Sequence, residues 1–400
     1  MRPSAARVES LETRRLLAAT TVVETEPNDI SVQAVNVNVS GNVKLIGRCG
    51  GSNVDWFKLT AAALVTIAIV RTPNDFAGSV DLRDLSDQPA TTTTLQPGQA
   101  VYLKLSAKKR FTNYAVEVDP APVAPSWSNV KSAAYHLQNI GPAAVAASKY
   151  DMVVIDASRD GSDGGRFTKD EVTQMKGADA ATAKRVVAYI SLGEAENYRG
   201  YWQKSWNKAK NRPAWIGPEN PDWPGNFKVR YWDDAWQAIV KQQIDAMIDR
   251  GYDGVFFDVV DGYEFWQPDR PQAGTEMANL VASLSTYAKQ KSGNTDFGIF
   301  ANGGEALWSQ PGYMNALTGQ AKEDVWYDDN AKVPVADTRE VVKTLRRFKD
   351  AGKLVFVIDY PTVQSKIDDF YLKCETTGFL PYASDRDLDR LQVNPGHEPK

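Results

Sequence analysis

The chain is poor in histidine and cysteine, and both scarcities restrict its chemistry. Only two histidines occur in 400 residues, His136 and His397. A His-rich zinc site is therefore nearly excluded, and a Ser-His-Asp machine would have to run through His136. The two cysteines, Cys49 and Cys374, lie far apart in sequence, so no disulfide framework staples the fold and both read as isolated buried thiols. No run of 18 apolar residues exists, which excludes a helix spanning a membrane. Formal net charge is only −4, too little basic surface to track a phosphate backbone, so nucleic acid is not an expected partner.

What the chain has in quantity is carboxylate, amide and aromatic chemistry. Eleven tryptophans and sixteen tyrosines suit sugar rings, whose apolar faces stack on aromatic planes while hydroxyls hydrogen-bond around them. At 400 residues there is enough sequence for two domains with separate cores.

The first 23 residues read as an export leader. Arg2, Arg7, Arg14 and Arg15 precede a short apolar stretch from Leu16 to Val23. The run Leu11-Glu12-Thr13-Arg14-Arg15-Leu16-Leu17 resembles a Leu-Glu-x-Arg-x-Leu-Leu leader of surface and secreted proteins in one bacterial phylum. A secreted or cell-surface location is the expectation.

From 24 to 119 the chain alternates in short β segments (35–39, 56–59, 65–70, 80–82, 101–105, 114–118) separated by Gly, Asn, Asp and Pro clusters, the pattern of a small all-β sandwich. Glu24-Thr25-Glu26-Pro27-Asn28-Asp29, Gly41, Gly47, Asn53 to Leu59 and Leu95-Gln96-Pro97-Gly98 resemble the bacterial pre-peptidase C-terminal domain. That resemblance implies an accessory domain of extracellular enzymes. Asp29, Asn53 and Asp55 are oxygen donors for calcium or, more ordinarily, turn-forming residues. A Pro/Ala linker is expected over 120–126.

Residues 127–394 carry a different rhythm. Strand candidates recur at barrel-like intervals, 133–137, 152–156, 186–191, 228–232, 254–258, 298–302, 323–327 and 354–359. Amphipathic helices separate them, with Trp236, Val240, Ile244, Met247 and Ile248 on one face before Gly251. Eight such repeats predict an α/β fold, a parallel (β/α)8 TIM barrel that follows the β-sandwich.

The most informative segment is Gly251-Tyr252-Asp253-Gly254-Val255-Phe256-Phe257-Asp258-Val259-Val260-Asp261-Gly262-Tyr263. A strand this apolar is buried on both faces, so acids at its C-terminal end stand where a barrel keeps its chemistry. Reading the other strand ends in the same way adds Asp156, Glu194, Glu196, Asn302, Glu323 and the pair Asp359-Tyr360. Such a ring of acids is costly unless it does chemistry or meets a cation. Asp156 and Asp359 are equally readable as loop caps or ion-pair partners.

Ile190-Ser191-Leu192-Gly193-Glu194-Ala195-Glu196-Asn197-Tyr198-Arg199-Gly200-Tyr201-Trp202, Val229-Arg230-Tyr231-Trp232-Asp233 and the segment from Gly251 to Tyr263, in that order, resemble glycoside hydrolase family 114. Its known members are endo-α-1,4-polygalactosaminidases. The resemblance implies that Asp258, ending the fifth strand, and Glu323, on the seventh, are the catalytic pair. Asp324 is one residue from Glu323, and strand alternation lets only one of the two face inward. Fungal members carry acidic and amide residues around this aspartate, whereas Phe256-Phe257 and Val259-Val260 flank it here, which is closer to the family's bacterial branch.

The chemistry of glycosidic cleavage fits two carboxylates, with Asp258 as nucleophile and Glu323 as acid/base, and retention is the expected outcome. Tyr198, Arg199 and Asn302 are expected to position sugar hydroxyls, and Asp156, Asp261, Asp359 and Tyr360 to line the same mouth. Glu194 is expected either to hold an amino group or to pair with Arg199. Of the six tryptophans between 202 and 236, Trp223 and Trp232 are the chosen stacking platforms. An acidic mouth favours a cationic amino-sugar polymer over neutral glycans. No cofactor and no metal are required, and a monomer is expected. Two rival readings are a non-catalytic glycan-binding barrel and a divalent-metal hydrolase using Asp156, Asp258 and Glu323.

Overall fold

The computed structural model describes residues 20–39, 43–61, 65–71, 78–90, 94–95, 99–107, 112–122, 127–177 and 183–399. The expected leader lies outside these except for its last four residues, Thr20–Val23, which are a strand. Most of the expected linker also lies outside, but its first three residues finish the strand Thr112–Pro122. Contacts divide the chain into two compact units, Met1–Val123 and Ala124–Lys400.

The first unit contains two sheets. One orders the strands Thr20–Val23, Val43–Cys49, Thr112–Pro122, Val65–Arg71 and Thr94–Leu95; the other orders Val35–Val39, Asp55–Ala61, Ala100–Ala107 and Gly78–Arg83. Ala100–Ala107 alternates half-buried and buried along its whole length, as a strand with one core-facing side must. Val37, Val39, Leu45, Phe57, Leu59, Leu103, Leu105 and Val116 form the core. Asp29 Oδ1 accepts the Val54 N–H at 3.1 Å, a tie between segments distant in sequence. Asn53 donates to Glu26. Among the described residues, the acids whose oxygens converge are Glu24, Glu26 and Asp55.

The second unit is a near-closed parallel barrel of eight strands: β1 Ala133–His136, β2 Met152–Ile155, β3 Arg185–Ser191, β4 Gly254–Asp258, β5 Gly298–Asn302, β6 Gly319–Glu323, β7 Leu354–Asp359 and β8 Leu380–Ala383. Each pairs in parallel with the next, and β8 lies beside β1. β2 and β3 are buried at every position, as expected of strands covered on both faces.

Two of the eight expected strands need correction. The stretch expected at 228–232 is not in the barrel. Asn226–Val229 instead forms the middle of a small antiparallel sheet between Glu194–Glu196 and Ile216–Glu219. Its burial alternates, because Lys228 keeps one face polar while Phe227 and Val229 are buried. The barrel's eighth strand is Leu380–Ala383, whose Pro381 reads in sequence as a strand breaker. The strand expected at 323–327 is Gly319–Glu323, so Glu323 ends it rather than opening it. Gln320 is fully buried there, and its amide donates to the carbonyls of Ala301, Gly303 and Ala321 at 3.0, 2.8 and 3.0 Å. That satisfied amide disguises a core strand as a polar one.

The N-terminal end of the barrel is plugged. A Cβ on Gly298 would lie 2.3 Å from the Trp127 ring, so only glycine lets that indole in. Trp127 donates from Nε1 to the Asp296 carbonyl at 2.7 Å, and the Arg185 guanidinium covers the ring at 4.3 Å. With that end closed, the polar side chains gather at the C-terminal ends of the strands.

Candidate active site at the C-terminal ends of the strands

Alternation builds the site. Asp258, Asn302 and Glu323 are the last residues of three adjacent strands, β4, β5 and β6, and all three face the same space. Asn302 Nδ2 lies between the two acids, donating to Asp258 Oδ1 at 2.8 Å and to Glu323 Oε1 at 2.6 Å. The two oxygens it joins are therefore no farther apart than the sum of those lengths. On the opposite sides, Tyr189 donates to Asp258 Oδ2 at 3.0 Å, and Tyr360 donates to Glu323 Oε2. Each acid thus has both oxygens held.

The electrostatics follow from confinement. Burial, reinforced by the charge on Glu323, pushes the Asp258 carboxyl up to about 7, against the stabilising bond from Asn302. Burial also raises Glu323, against the hydrogen bonds of Tyr360 and Asn302. Two carboxyls this close titrate as a pair.

The chain turns sharply after Asp258. Val259 is left-handed at φ 56°, a strained conformation for a β-branched residue and one concentrated at functional sites. The turn is seated against Gly193, where a Cβ would come within 2.3 Å of the Val259 carbonyl. Asp261 is thereby brought over Gly303, beside Asn302.

Glu323 also stands on an anchored loop. Asp359, completely buried, accepts the N–H groups of Val325, Trp326 and Tyr327 at 2.8, 2.9 and 2.9 Å. It is a backbone anchor and not the substrate contact expected of it. Asp324, left-handed at φ 54°, pairs instead with Arg386 at 2.9 Å. Arg386 also binds Asp329 at 2.7 Å and lies 4.3 Å over the Tyr360 ring. Tyr360 is buried, and its hydroxyl serves Glu323 rather than a sugar.

The remaining expected residues divide into two neighbouring groups. Arg199 pairs with Asp156 at 2.8 Å and Glu196 at 2.6 Å, and Tyr198 donates to Glu196 at 2.5 Å. Tyr198 still exposes 49% of its surface. Glu194 follows neither expectation, since it is buried on Lys228 at 2.6 Å and Asn220 at 2.8 Å. Trp223 stands 59% exposed, open to stack. Trp232 is instead enclosed, with Arg270 over its ring at 4.2 Å and Tyr231 and Trp266 against its edges.

Sequence reasoning missed Tyr189, Lys228, Lys322 and Arg386. Tyr189 was within reach: it lies two residues before Ser191, which pairs in register with Asp258, so alternation directs it to the same face. The others meet their partners across long sequence separations and leave no local signal. The three acids named for a metal-dependent reading do not form a ligand set, because Asp156 is committed to Arg199 and the Ser158 N–H.

Comparison with known proteins agrees with this architecture. The sequence pattern of the glycoside-hydrolase family GH114 matches residues 114–398. A protein of Methanocaldococcus jannaschii described as uncharacterized is 36% identical over 275 residues, covering 65% of this chain and 78% of that one. One of Deinococcus radiodurans, likewise described, is 35% identical over 283 residues, covering 70% and 88%. Among solved structures, the glycoside hydrolase domain of PelA from Pseudomonas aeruginosa superposes with a TM-score of 0.53 at 19% identity, covering 66% of this chain and 99% of that one. Aspergillus fumigatus Ega3, in complex with galactosamine, gives 0.50 at 18%, covering 67% and 96%. At such identities these two share the fold. The family pattern, matched over more than half of the chain, decides membership: the chain belongs to glycoside-hydrolase family GH114.

Proposed function

We propose that the barrel cleaves an α-1,4-linked, galactosamine-containing polysaccharide by double displacement at Asp258 and Glu323. The carrying observation is the single amide of Asn302 bonded to both carboxyls. Their nearest oxygens then fall within the about 5–5.5 Å carboxyl spacing of retaining glycosidases, short of the about 6.5–9.5 Å that leaves room for a water in inverting ones. Asp258 attacks the anomeric carbon while Glu323, protonated, delivers its proton to the leaving oxygen. Glu323 then takes a proton from the water that releases the glycosyl group from Asp258.

The charge around the pair supports a cationic substrate. Asp261, Glu264, Glu305 and Glu323 all act on Lys322, while Lys228 acts on Asp261 and Arg386 on Glu323, so with Asp258 alongside the acids outnumber the cations. An aminated polymer gains from that imbalance, whereas a neutral one does not. The galactosamine in the Ega3 complex fits the same chemistry. Trp223 and Tyr198 offer exposed rings for sugars beyond the cleavage point. Among the described residues no helix is long and apolar enough to cross a membrane, and secretion of the mature protein is part of this proposal.

The test is mass spectrometry of oligosaccharides released from deacetylated α-1,4-linked polygalactosamine by the wild type, Asp258→Asn and Glu323→Gln. A product ladder from the wild type alone is expected. Binding without release by the wild type would favour the glycan-binding reading, and undiminished release by either variant would remove the carboxylate pair from the mechanism.

A further inference from the structure

The carboxylates of this mouth are nearly all spoken for. Asp156 and Glu196 are paired with Arg199, Glu194 with Lys228, and Asp324 with Arg386. Asp359 is capped by three backbone N–H groups. Glu305 lies 3.7 Å from Lys322, and Glu264 accepts from the Tyr263 hydroxyl at 3.3 Å. Asp258 and Glu323 hold each other through Asn302. Asp261 remains, with no hydrogen bond or ion pair to the side chain of another described residue.

Its position is fixed. The left-handed turn at Val259 and the Gly262 N–H to Val259 carbonyl bond at 3.0 Å send the chain back toward β5. A Cβ on Gly303 would stand 2.6 Å from Asp261 Oδ2, so the carboxylate rests on the residue that follows Asn302. Asn302 itself is 5% exposed, and its Oδ1 is buried with no partner. Ser191, level with Asp258 across the β3–β4 ladder, likewise has an unpartnered buried hydroxyl. A buried orphan acceptor is costly, and here one belongs to Asn302, the residue before the Gly303 on which Asp261 rests. An ammonium group has three donors and no acceptor, which is the complement of that arrangement. An N-acetyl group is neutral and offers a single N–H.

We propose that Asp261 is the specificity-determining anion of the site, taking the protonated amino group of the sugar held against Asp258 and Glu323. This rests on the reading of the barrel as an amino-sugar glycosidase and names the residue that enforces it. Burial opposes ionisation of Asp261 while Lys322 favours it; a bound ammonium would tip that balance to the carboxylate.

The test compares galactosamine with galactose, titrated by NMR into the full chain at pH 7, for the wild type, Asp261→Asn and Asp261→Glu. The wild type is expected to bind galactosamine at least about tenfold tighter, the span of one charge-assisted hydrogen bond. Asp261→Asn is expected to bind the two sugars alike, and Asp261→Glu to recover part of the preference. A preference retained by Asp261→Asn, equal weakening of both sugars, or no preference in the wild type would each overturn the assignment. Thermal unfolding of Asp261→Asn at or above the wild-type temperature checks that a lost preference is not lost structure. A wild type that prefers galactosamine yet releases nothing from the polymer would sink the cleavage reading and leave the assignment to Asp261 standing.

Discussion

Replacing Asn302 with alanine isolates the one contact shared by both acids. The amide donates to Asp258 and Glu323 in their charged forms, so it lowers the pKa of each and screens one from the other. A hydrogen bond to a charged group contributes about 1.5–3 kcal/mol, and each pH unit corresponds to about 1.4 kcal/mol. Deleting the amide should therefore move both macroscopic pKa values of the pair upward by roughly 1–2 units. In kcat/KM against pH, the acid limb reports ionisation of the nucleophile and the alkaline limb reports loss of the acid's proton. Both limbs should shift to higher pH, with the plateau reduced by about 100-fold because the carboxyls lose their common support. The assay is initial-rate hydrolysis of deacetylated polymer from pH 4 to 9. A plateau that falls with both limbs unmoved would refute the reasoning, since the amide would then hold geometry without acting on the charges.

Other consequences are open to measurement. Folded Asp258 keeps its proton up to about pH 7, while the unfolded chain releases it near 3.8. The folded state therefore binds more protons in that window, and this carboxyl's contribution to stability falls as pH rises through it. Asp258→Asn should consequently melt several degrees above the wild type at pH 8 and close to it at pH 4, by calorimetry; a constant difference across pH would contradict the assigned ionisation. Asp359→Ala leaves three backbone N–H groups without their acceptor, and should cost at least about 3 kcal/mol in denaturant unfolding. A loss below about 1 kcal/mol would show that the loop carrying Glu323 has another anchor. Trp223→Ala, at an exposed ring, should raise KM for long oligomers about tenfold and leave kcat nearly unchanged; an equal fall in kcat would place it at the cleavage point.

Legibility in the sequence followed burial. Asp258 was visible because its strand is apolar on both faces and stops at a charge, and β5 was visible through Gly298-Ile299-Phe300-Ala301-Asn302 for the same reason. β6 was harder, since Gln320 and Lys322 interrupt the apolar pattern; Glu323 was identified, but with its strand displaced so that it stood at the wrong end. β8 was hidden by Pro381, and the strand assigned at 228–232 filled its place in the tally. Asp359 and Tyr360 were seen as strand-end polar residues, yet whether such a group meets ligand or backbone depends on where residues 325–327 fold, and that is not written locally. The same limit applies to Arg386, which reaches acids about 60 positions earlier and so sets a loop that no window of sequence contains.

The account depends most on two carboxyls being near enough for a covalent glycosyl intermediate. Proton NMR of the first minutes of hydrolysis, before the released reducing ends mutarotate, reads the anomer formed. An α-linked polymer giving the α-anomer first is the predicted result, and the β-anomer first would contradict double displacement across Asp258 and Glu323.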